Sequence, residues 1–229
     1  MPTSATTADA PPGLAIRYPT TLIDTRRLGG AQHLLLRPVL PQDESLMSAF
    51  LLAQSAGARR NRFHAAINPS PRLCRQLSQV DDRLQLALVV CTLDAGLEQL
   101  VAEARYCVVD EGRSGEFALM VDERWQGQGV GGWALRALQQ AAARAGLAWL
   151  EGEVLADNRA MLSLAQRCGF ACIPDPRDDG QVRVRRRLSA VDASTAGAGK
   201  ARRSLGLWRR LGRALTARAH SLRCVPLTH

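Results

Sequence analysis

The chain has 229 residues, 46% of them hydrophobic and 22% charged, which fits one globular domain with extensions and excludes collagen-like, wholly disordered and small disulfide-stabilised proteins. Only one of the 30 basic residues is a lysine, Lys200, so a Schiff-base lysine in the core or a P-loop lysine is excluded. The residues after Asp192 include eight basic and no acidic side chains, so the net charge of +9 belongs mainly to the C-terminal segment.

The first part of the chain predicts a lead-in, a strand and two or three helices. Residues 1–31 are rich in small residues and proline, so we expect a flexible lead-in that ends in a glycine turn. A first strand is predicted at His33–Pro38. Apolar residues then recur at helical spacing from Gln42, and a further helix is predicted at Pro71–Val80 behind a Ser-Pro start signal.

Three apolar segments follow, at Leu84–Thr92, Leu100–Val109 and Glu116–Val121, with short turn sequences between them. A parallel connection needs a dozen or more residues, and these turns are much shorter. The sequence therefore predicts an antiparallel meander in the middle of the chain.

The pattern changes after Val121. From Val130 to Ala145 the apolar residues form one stripe of an amphipathic helix, and Trp149–Val154 is the next strand. A strand, a helix and a strand in this order predict a parallel pair. The sequence then predicts a helix and a closing hairpin, at Asn158–Arg167, Phe170–Ile173 and Val182–Leu188.

The end of the chain predicts a linker at 190–199 and a basic tail at 200–229, so the main domain is expected to span 32–189. Apolar residues within 200–223 keep helical spacing among arginines, which is typical of a basic amphipathic helix. Such a helix binds nucleic acid, anionic lipid or an acidic partner, or it docks on its own domain through its apolar stripe.

The six cysteines are scattered without a CxxC pair, which indicates free thiols in a reducing compartment. The sequence shows neither a signal peptide nor an apolar segment long enough to span a membrane, so we expect a cytoplasmic protein. His33 and His64 are expected to be structural, and no metal site is predicted. Arg59, Arg60 and Arg62 are expected on a solvated helical face, and contact with an acidic protein surface is the alternative.

A glycine-rich loop between the third meander segment and the amphipathic helix predicts a phosphate site. Glycines let the backbone approach a ligand, and the first N–H groups of the helix favour an anion. A dinucleotide site is one alternative, because the glycine spacing also fits GxGxxG, but the antiparallel meander before the loop disfavours it. A second alternative is that the glycines only begin the helix and that the loop binds no ligand. The predicted binding residues are Gln126, Gly127, Gln128, Gly129, Val130, Gly131 and Gly132.

The loop also fits the pattern Gln-x-x-Gly-x-Gly, and a second stretch, NRAMLSLAQRCGF at 158–170, follows it. With these two motifs in this order, roughly residues 33–188 resemble the GNAT superfamily of acyl-CoA-dependent N-acyltransferases. The runs LLLRPVLPQDE, ARRNRFHAAIN and GEFALMV are similar to the acetyltransferase domains of bacterial Pat-like protein lysine acetyltransferases. The resemblance implies an α/β fold with a mixed, mainly antiparallel central sheet flanked by helices.

The resemblance also implies roles for individual residues. Glu116 matches the position of a catalytic glutamate, and the backbone of Met120 or Val121 matches the position that binds the acyl carbonyl and the pantetheine arm. Asn158 is expected to hold the CoA arm, to cap the following helix, or both. Ala165 stands where many family members have a tyrosine that protonates the leaving thiolate.

These observations predict an N-acetyltransferase that uses acetyl-CoA as a cosubstrate and acts on an amine, either a protein lysine or a small molecule. The competing prediction is a non-catalytic CoA-binding module that the basic tail at 200–223 recruits to nucleic acid or membrane. A dinucleotide-binding protein is the third alternative.

Overall fold

The computed structural model describes residues 19–29, 32–80, 84–94, 96–175 and 178–194. These residues form one eight-stranded sheet with helices on both faces. The strands are β1 (Asp24–Leu28), β2 (Gln32–Pro38), β3 (Gln85–Asp94), β4 (Leu97–Val109), β5 (Ser114–Val121), β6 (Trp149–Leu155), β7 (Ala171–Asp175) and β8 (Asp178–Arg187). The helices are α1 (Glu44–Ala53), α2 (Ala56–Phe63), α3 (Pro71–Ser78), α4 (Val130–Arg144), α5 (Arg159–Arg167) and α6 (Ala190–Ser194).

The sheet is mixed and mainly antiparallel, as the sequence predicts. Its strand order is β1-β2-β3-β4-β5-β6-β8-β7. Among the described strands, the pair formed by β5 and β6 is parallel and the others are antiparallel. The parallel pair arises because α4 carries the chain back across the sheet between the two strands. The meander, the crossover and the closing hairpin are all confirmed.

The interior strand β3 packs against a hydrophobic core on each face of the sheet. Its side chains alternate between the two faces, and Val89 and Val90 are both fully buried, one on each face. On one face, α4 and α5 cover the sheet with residues such as Trp133 and Leu138. On the other face, α1 and α3 cover it with residues such as Met47. Burial on both faces accounts for the continuous apolar run of the β3 sequence.

The sheet begins earlier than the sequence predicts, because β1 lies inside the segment expected to be a flexible lead-in. β1 is mostly exposed, so it carries no alternating apolar signal, and it is held by its ladder with β2. Two side chains fix it to α4: the indole N–H of Trp133 donates to Asp24 at 2.9 Å, and the Arg26 guanidinium lies 4.9 Å from the centre of the Trp133 ring.

The predicted linker also begins with ordered structure, because α6 occupies its first five residues. Arg186 donates to the Asp192 carboxylate at 2.5 Å, and Arg144 of α4 donates to the carbonyl oxygen of Ala193 at 3.1 Å. These bonds hold α6 against the domain. The predicted basic tail at 200–229 lies outside the described residues.

Buried ion pairs join segments that are distant in sequence. Glu103 of β4 accepts hydrogen bonds from Arg105 and from Arg62 of α2, and all three side chains are almost fully buried. The prediction of an exposed arginine face is therefore confirmed for Arg60, whose side chain is 52% exposed, and wrong for Arg62, which is buried. Arg62 pairs with Glu103, Arg59 donates to the Gln54 carbonyl oxygen at 2.5 Å, and Arg60 pairs with Asp157 at 3.0 Å.

No helix within the described ranges is long and apolar enough to cross a membrane. Five of the six cysteines fall in those ranges, and all five are free thiols, as predicted. Burial raises the pKa of Cys91 beyond its ordinary range and also raises the pKa of Cys74, so neither is a reactive thiolate at neutral pH.

Candidate functional site

The site begins where the parallel pair of β5 and β6 separates. The ladder between these strands joins three residue pairs and ends where Glu116 lies opposite Glu151. β5 continues for five more residues, to Val121, and stays paired with β4 on its other side. The β6-facing edge of this last part of β5 has no strand ladder in the described structure. An extended ligand can therefore add to β5 there.

The register of β5 shows which backbone groups point away from β4, into the opening between β5 and β6 beyond Glu116. The N–H of Asp122 donates to the Val101 carbonyl oxygen at 2.9 Å, while Val121 lies opposite Ala102. This places Val121 in a non-hydrogen-bonded pair with β4, and the next pair, Met120 with Glu103, exchanges the ladder bonds. The N–H of Val121 therefore points toward the opening, and that of Met120 points toward β4.

The glycine-rich loop follows directly. Gly127 and Gly129 have φ angles of +74° and +84°, a backbone conformation that a side chain would strain. The amide of Gln126 donates to the Val121 carbonyl oxygen at 3.0 Å, and the amide of Gln128 donates to the Arg124 carbonyl oxygen at 2.9 Å. The two glutamines therefore hold the shape of the loop, and the glycines form its turns.

The N-terminus of α4 lies at the end of this loop and has no side-chain cap. In contrast, the side chains of Ser55, Ser70 and Asn158 cap α2, α3 and α5. The first turn of α4 contains no acidic residue, and the side chain of Val130 is buried, so this turn presents backbone N–H groups. Uncapped N–H groups at the positive end of a helix dipole form a site for a phosphate.

The last two glycines of the loop serve packing. A Cβ atom on Gly131 would lie 3.1 Å from Leu164 and 3.2 Å from Val121, so this glycine lets α4 approach α5 and the end of β5 closely. A Cβ atom on Gly132 would lie 3.2 Å from the Arg136 guanidinium. The predicted binding residues are thus brought together, and Gly127 and Gly129 differ in role from Gly131 and Gly132.

Asn158 and Ala165 both lie on the α5 side of the site. The side-chain oxygen of Asn158 accepts the N–H of Met161 at 3.1 Å, which confirms the capping role. Ala165 is 0% exposed and belongs to the core, so its environment has no space for a tyrosine ring without repacking. Tyr106 is also buried, and burial raises its pKa. Neither position supplies an acid to the opening.

Glu116 lies at the point where the strands separate. Phe117, Leu119 and Val121 face α4, so alternation places Glu116 with Met120 on the opposite face. Glu116 is half-buried there, beside Glu151, whose carboxylate pairs with Arg185 at 3.3 Å. Glu116 thus lies where the part of β5 begins whose β6-facing edge has no strand ladder in the described structure.

The sequence did not reveal a second polar group on this face, at the end of α2. His64 ends α2 in the left-handed conformation, and its imidazole lies close to Glu153 of β6. Burial lowers the pKa of His64, the charges of Arg62 and Arg60 lower it further, and the Glu153 carboxylate opposes them. His64 is therefore neutral at pH 7. No local motif marks this contact, because 89 residues separate His64 from Glu153.

α2 also borders the loop. The hydroxyl of Ser55, which precedes α2, donates to the carboxylate of Glu123 at 2.9 Å. At the other side, Arg60 of α2 pairs with Asp157, which precedes α5. These two contacts fasten α2 next to both motifs, so α2 forms the wall of the site opposite α4 and α5.

Comparison with known proteins agrees with this geometry. Residues 61–170 match the acetyltransferase (GNAT) family. An acetyltransferase of Pseudomonas aeruginosa is 31% identical over 156 residues, which are 68% of this chain and 84% of that protein. The acetyltransferase Pat of Mycolicibacterium smegmatis is 31% identical over 137 residues, which are 58% of this chain and 40% of that protein. The chain thus matches less than half of the second relative.

Solved structures show the same fold. The GNAT domain of S. lividans PAT has a TM-score of 0.66 at 23% identity, and the alignment covers 75% of this chain and 99% of that domain. RimL, a ribosomal L7/L12 alpha-N-protein acetyltransferase in complex with coenzyme A, has a TM-score of 0.57 at 18% identity, with coverage of 75% and 100%. At these identities the likeness concerns the fold.

Proposed function

Because the chain belongs to the GNAT family of acetyltransferases, we propose that it transfers an acetyl group from acetyl-CoA to the side-chain amine of a protein lysine. The observation that carries this proposal is the end of the β5–β6 ladder at Glu116, beside the uncapped N-terminus of α4. One ligand with a diphosphate, an extended arm and a reactive end fits this arrangement. The mainly antiparallel sheet argues against a dinucleotide-binding protein.

In this proposal the chain binds the cosubstrate through its backbone. The first N–H groups of α4 bind the pyrophosphate, and the turns at Gly127 and Gly129 let it approach. The pantetheine arm lies along the free edge of β5 as an added strand. The N–H of Val121 donates to the thioester oxygen and stabilises the negative charge that develops on it during attack.

Glu116 acts as the general base through bound water, because the five residues of strand from Glu116 to Val121 span about 16 Å. A lysine amine has a pKa of about 10.4, so it is protonated at neutral pH and must lose a proton before it attacks. The amine nitrogen forms a bond to the thioester carbonyl carbon, its proton passes to Glu116, and the carbon–sulfur bond breaks. A thiolate is a tolerable leaving group, so the CoA thiolate leaves without a tyrosine acid at position 165 and takes its proton from solvent.

The amine class is tested by incubating the protein with acetyl-CoA and three acceptors. These are a peptide with an internal lysine and a blocked N-terminus, a lysine-free peptide with a free N-terminus, and spermidine. We expect acetylation of the lysine peptide with release of CoA thiol. Modification of only the second peptide or of spermidine would contradict the lysine assignment and leave the acetyltransferase class intact. Turnover with none of them, despite acetyl-CoA binding, would favour the non-catalytic module.

A background reaction on the chain itself is predicted at one position. Since Lys200 is the only lysine, lysine self-acetylation maps to Lys200, which lies outside the described residues. The Lys200→Arg variant should therefore lose the modified peptide in a mass-spectrometric digest. If modification persists at any site other than the N-terminal amine, the assignment of lysine chemistry to this chain is wrong.

A further inference from the structure

A second polar site lies where the C-terminal end of α5 meets α4, β6 and β8. It is an open pocket of about 590 Å³. None of the loop residues 126–132 lines it, so it is separate from the site described above. Its lining includes one aromatic and five basic side chains: Trp149, Arg136, Arg167, Arg185, Arg186 and Arg187.

Two of the five arginines are neutralised within the domain. Arg185 pairs with Glu151 at 3.3 Å and lies 4.0 Å from the centre of the Trp149 ring, and Arg186 pairs with Asp192 at 2.5 Å. The other three, Arg136, Arg167 and Arg187, pair with no carboxylate in the described part of the chain. Among the described side chains, the pocket therefore holds about three positive charges that no carboxylate pairs with.

The guanidinium groups are held in place around Cys168. Arg136 contacts the Cys168 sulfur at 3.9 Å, and Arg186 donates to the Cys168 carbonyl oxygen at 2.5 Å. Arg167 donates to Ser163 at 2.5 Å along the same helix. Burial raises the pKa of the Cys168 thiol, while the charges of Arg136, Arg186 and Arg167 act to lower it.

We propose that this pocket binds a small ligand through a diphosphate group, at a site separate from the loop at 126–132. Like charges held close together repel, and an anion between them removes that repulsion. The planar fork of arginine matches phosphate oxygens in a bidentate way, and the pocket volume falls within the range of small-ligand sites. A free pyrophosphate and a nucleotide share this chemistry.

The test is calorimetric titration of the full-length protein, saturated with CoA, with inorganic pyrophosphate and separately with ATP. Saturation with CoA keeps the loop occupied. The variant Arg167→Gln/Arg187→Gln removes two of the uncompensated charges and leaves Arg136, which lies against Gly132 of the loop, in place. The control variant Arg27→Gln/Arg72→Gln removes the same charge from exposed positions on β1 and α3, away from the pocket.

We expect the pocket variant to bind pyrophosphate at least tenfold more weakly and the control variant to change by less than twofold, with CoA affinity equal in both. Tighter binding of ATP than of pyrophosphate would identify a nucleotide as the ligand, and equal binding would identify the diphosphate group alone. The proposal is overturned if neither probe binds the CoA-saturated protein, or if both variants lose the same affinity.

Discussion

Replacing Glu116 with glutamine is expected to lower the rate of acetyl transfer by about 100-fold or more and to leave acetyl-CoA affinity unchanged. Glutamine keeps the size and the hydrogen-bonding shape of the side chain but accepts no proton. Glu116 is half-buried at the end of the β5–β6 ladder and lies outside the loop at 126–132 that is proposed to bind the phosphates. We therefore expect the substitution to affect the chemical step and not the binding of acetyl-CoA. The measurement is the release of CoA thiol under saturating acetyl-CoA, together with calorimetry of acetyl-CoA binding.

The matched control is Glu153→Gln, since Glu153 is an exposed carboxylate on the same face and in the neighbouring strand. We expect its rate to change less than fivefold. The defect of Glu116→Gln should also shrink as the pH rises toward about 10, because the amine then loses its proton without help. A large loss in Glu153→Gln with normal turnover in Glu116→Gln would refute the base assignment and move the role to the pair of His64 and Glu153.

Replacing Glu103 with alanine destabilises the protein by about 3–5 kcal/mol, because it leaves the Arg62 and Arg105 guanidinium groups buried without their counter-charge. Urea unfolding measures this effect. The control is Asp157→Ala, which breaks the exposed pair with Arg60, whose side chains are 52% and 67% exposed, and which should cost less than about 1 kcal/mol. Equal destabilisation by the two variants would contradict the account of the buried network.

The Glu103 carboxylate also makes the free energy of unfolding depend on pH. Burial alone would raise the pKa of Glu103, but the charges and hydrogen bonds of Arg105 and Arg62 hold it below its ordinary value. A carboxyl whose pKa is depressed in the folded state stabilises the protein above its unfolded pKa of about 4.3 and loses that contribution as the pH falls through the folded value. Stability of the wild type should therefore fall below about pH 4.5, and Glu103→Gln should lack this component of the loss.

The sequence predicts the elements that build the site because each carries a local signal. The short turns fix the antiparallel meander, the stripe from Val130 fixes α4, and the glycines at 127 and 129 mark a loop whose backbone requires them. The parallel pair then follows from the crossover. These elements place Glu116 at the end of the β5–β6 ladder, while its role as a base is a prediction from the family resemblance.

The remaining features depend on contacts between distant residues and leave no local pattern. β1 is an exposed strand that its ladder with β2 holds, and α6 is fixed by Arg186 and Arg144. Arg62 reaches Glu103 across 41 residues, so its burial has no signal near it in sequence. The arginine pocket likewise collects side chains from α4, α5 and β8, each of which is an ordinary surface arginine in its own segment.

The most direct test of the central claim is calorimetric titration with acetyl-CoA of the wild type and of two variants, Gly129→Glu and Gly146→Glu. The two glycines lie at opposite ends of α4, have φ angles of +84° and +86°, and have open space beside them, so the substitutions strain the backbone alike. We predict micromolar binding to the wild type, about −8 kcal/mol, and to Gly146→Glu, with at least a tenfold loss in Gly129→Glu, where the new carboxylate meets the phosphates. Absence of binding to the wild type, or equal affinity in both variants, would contradict the account.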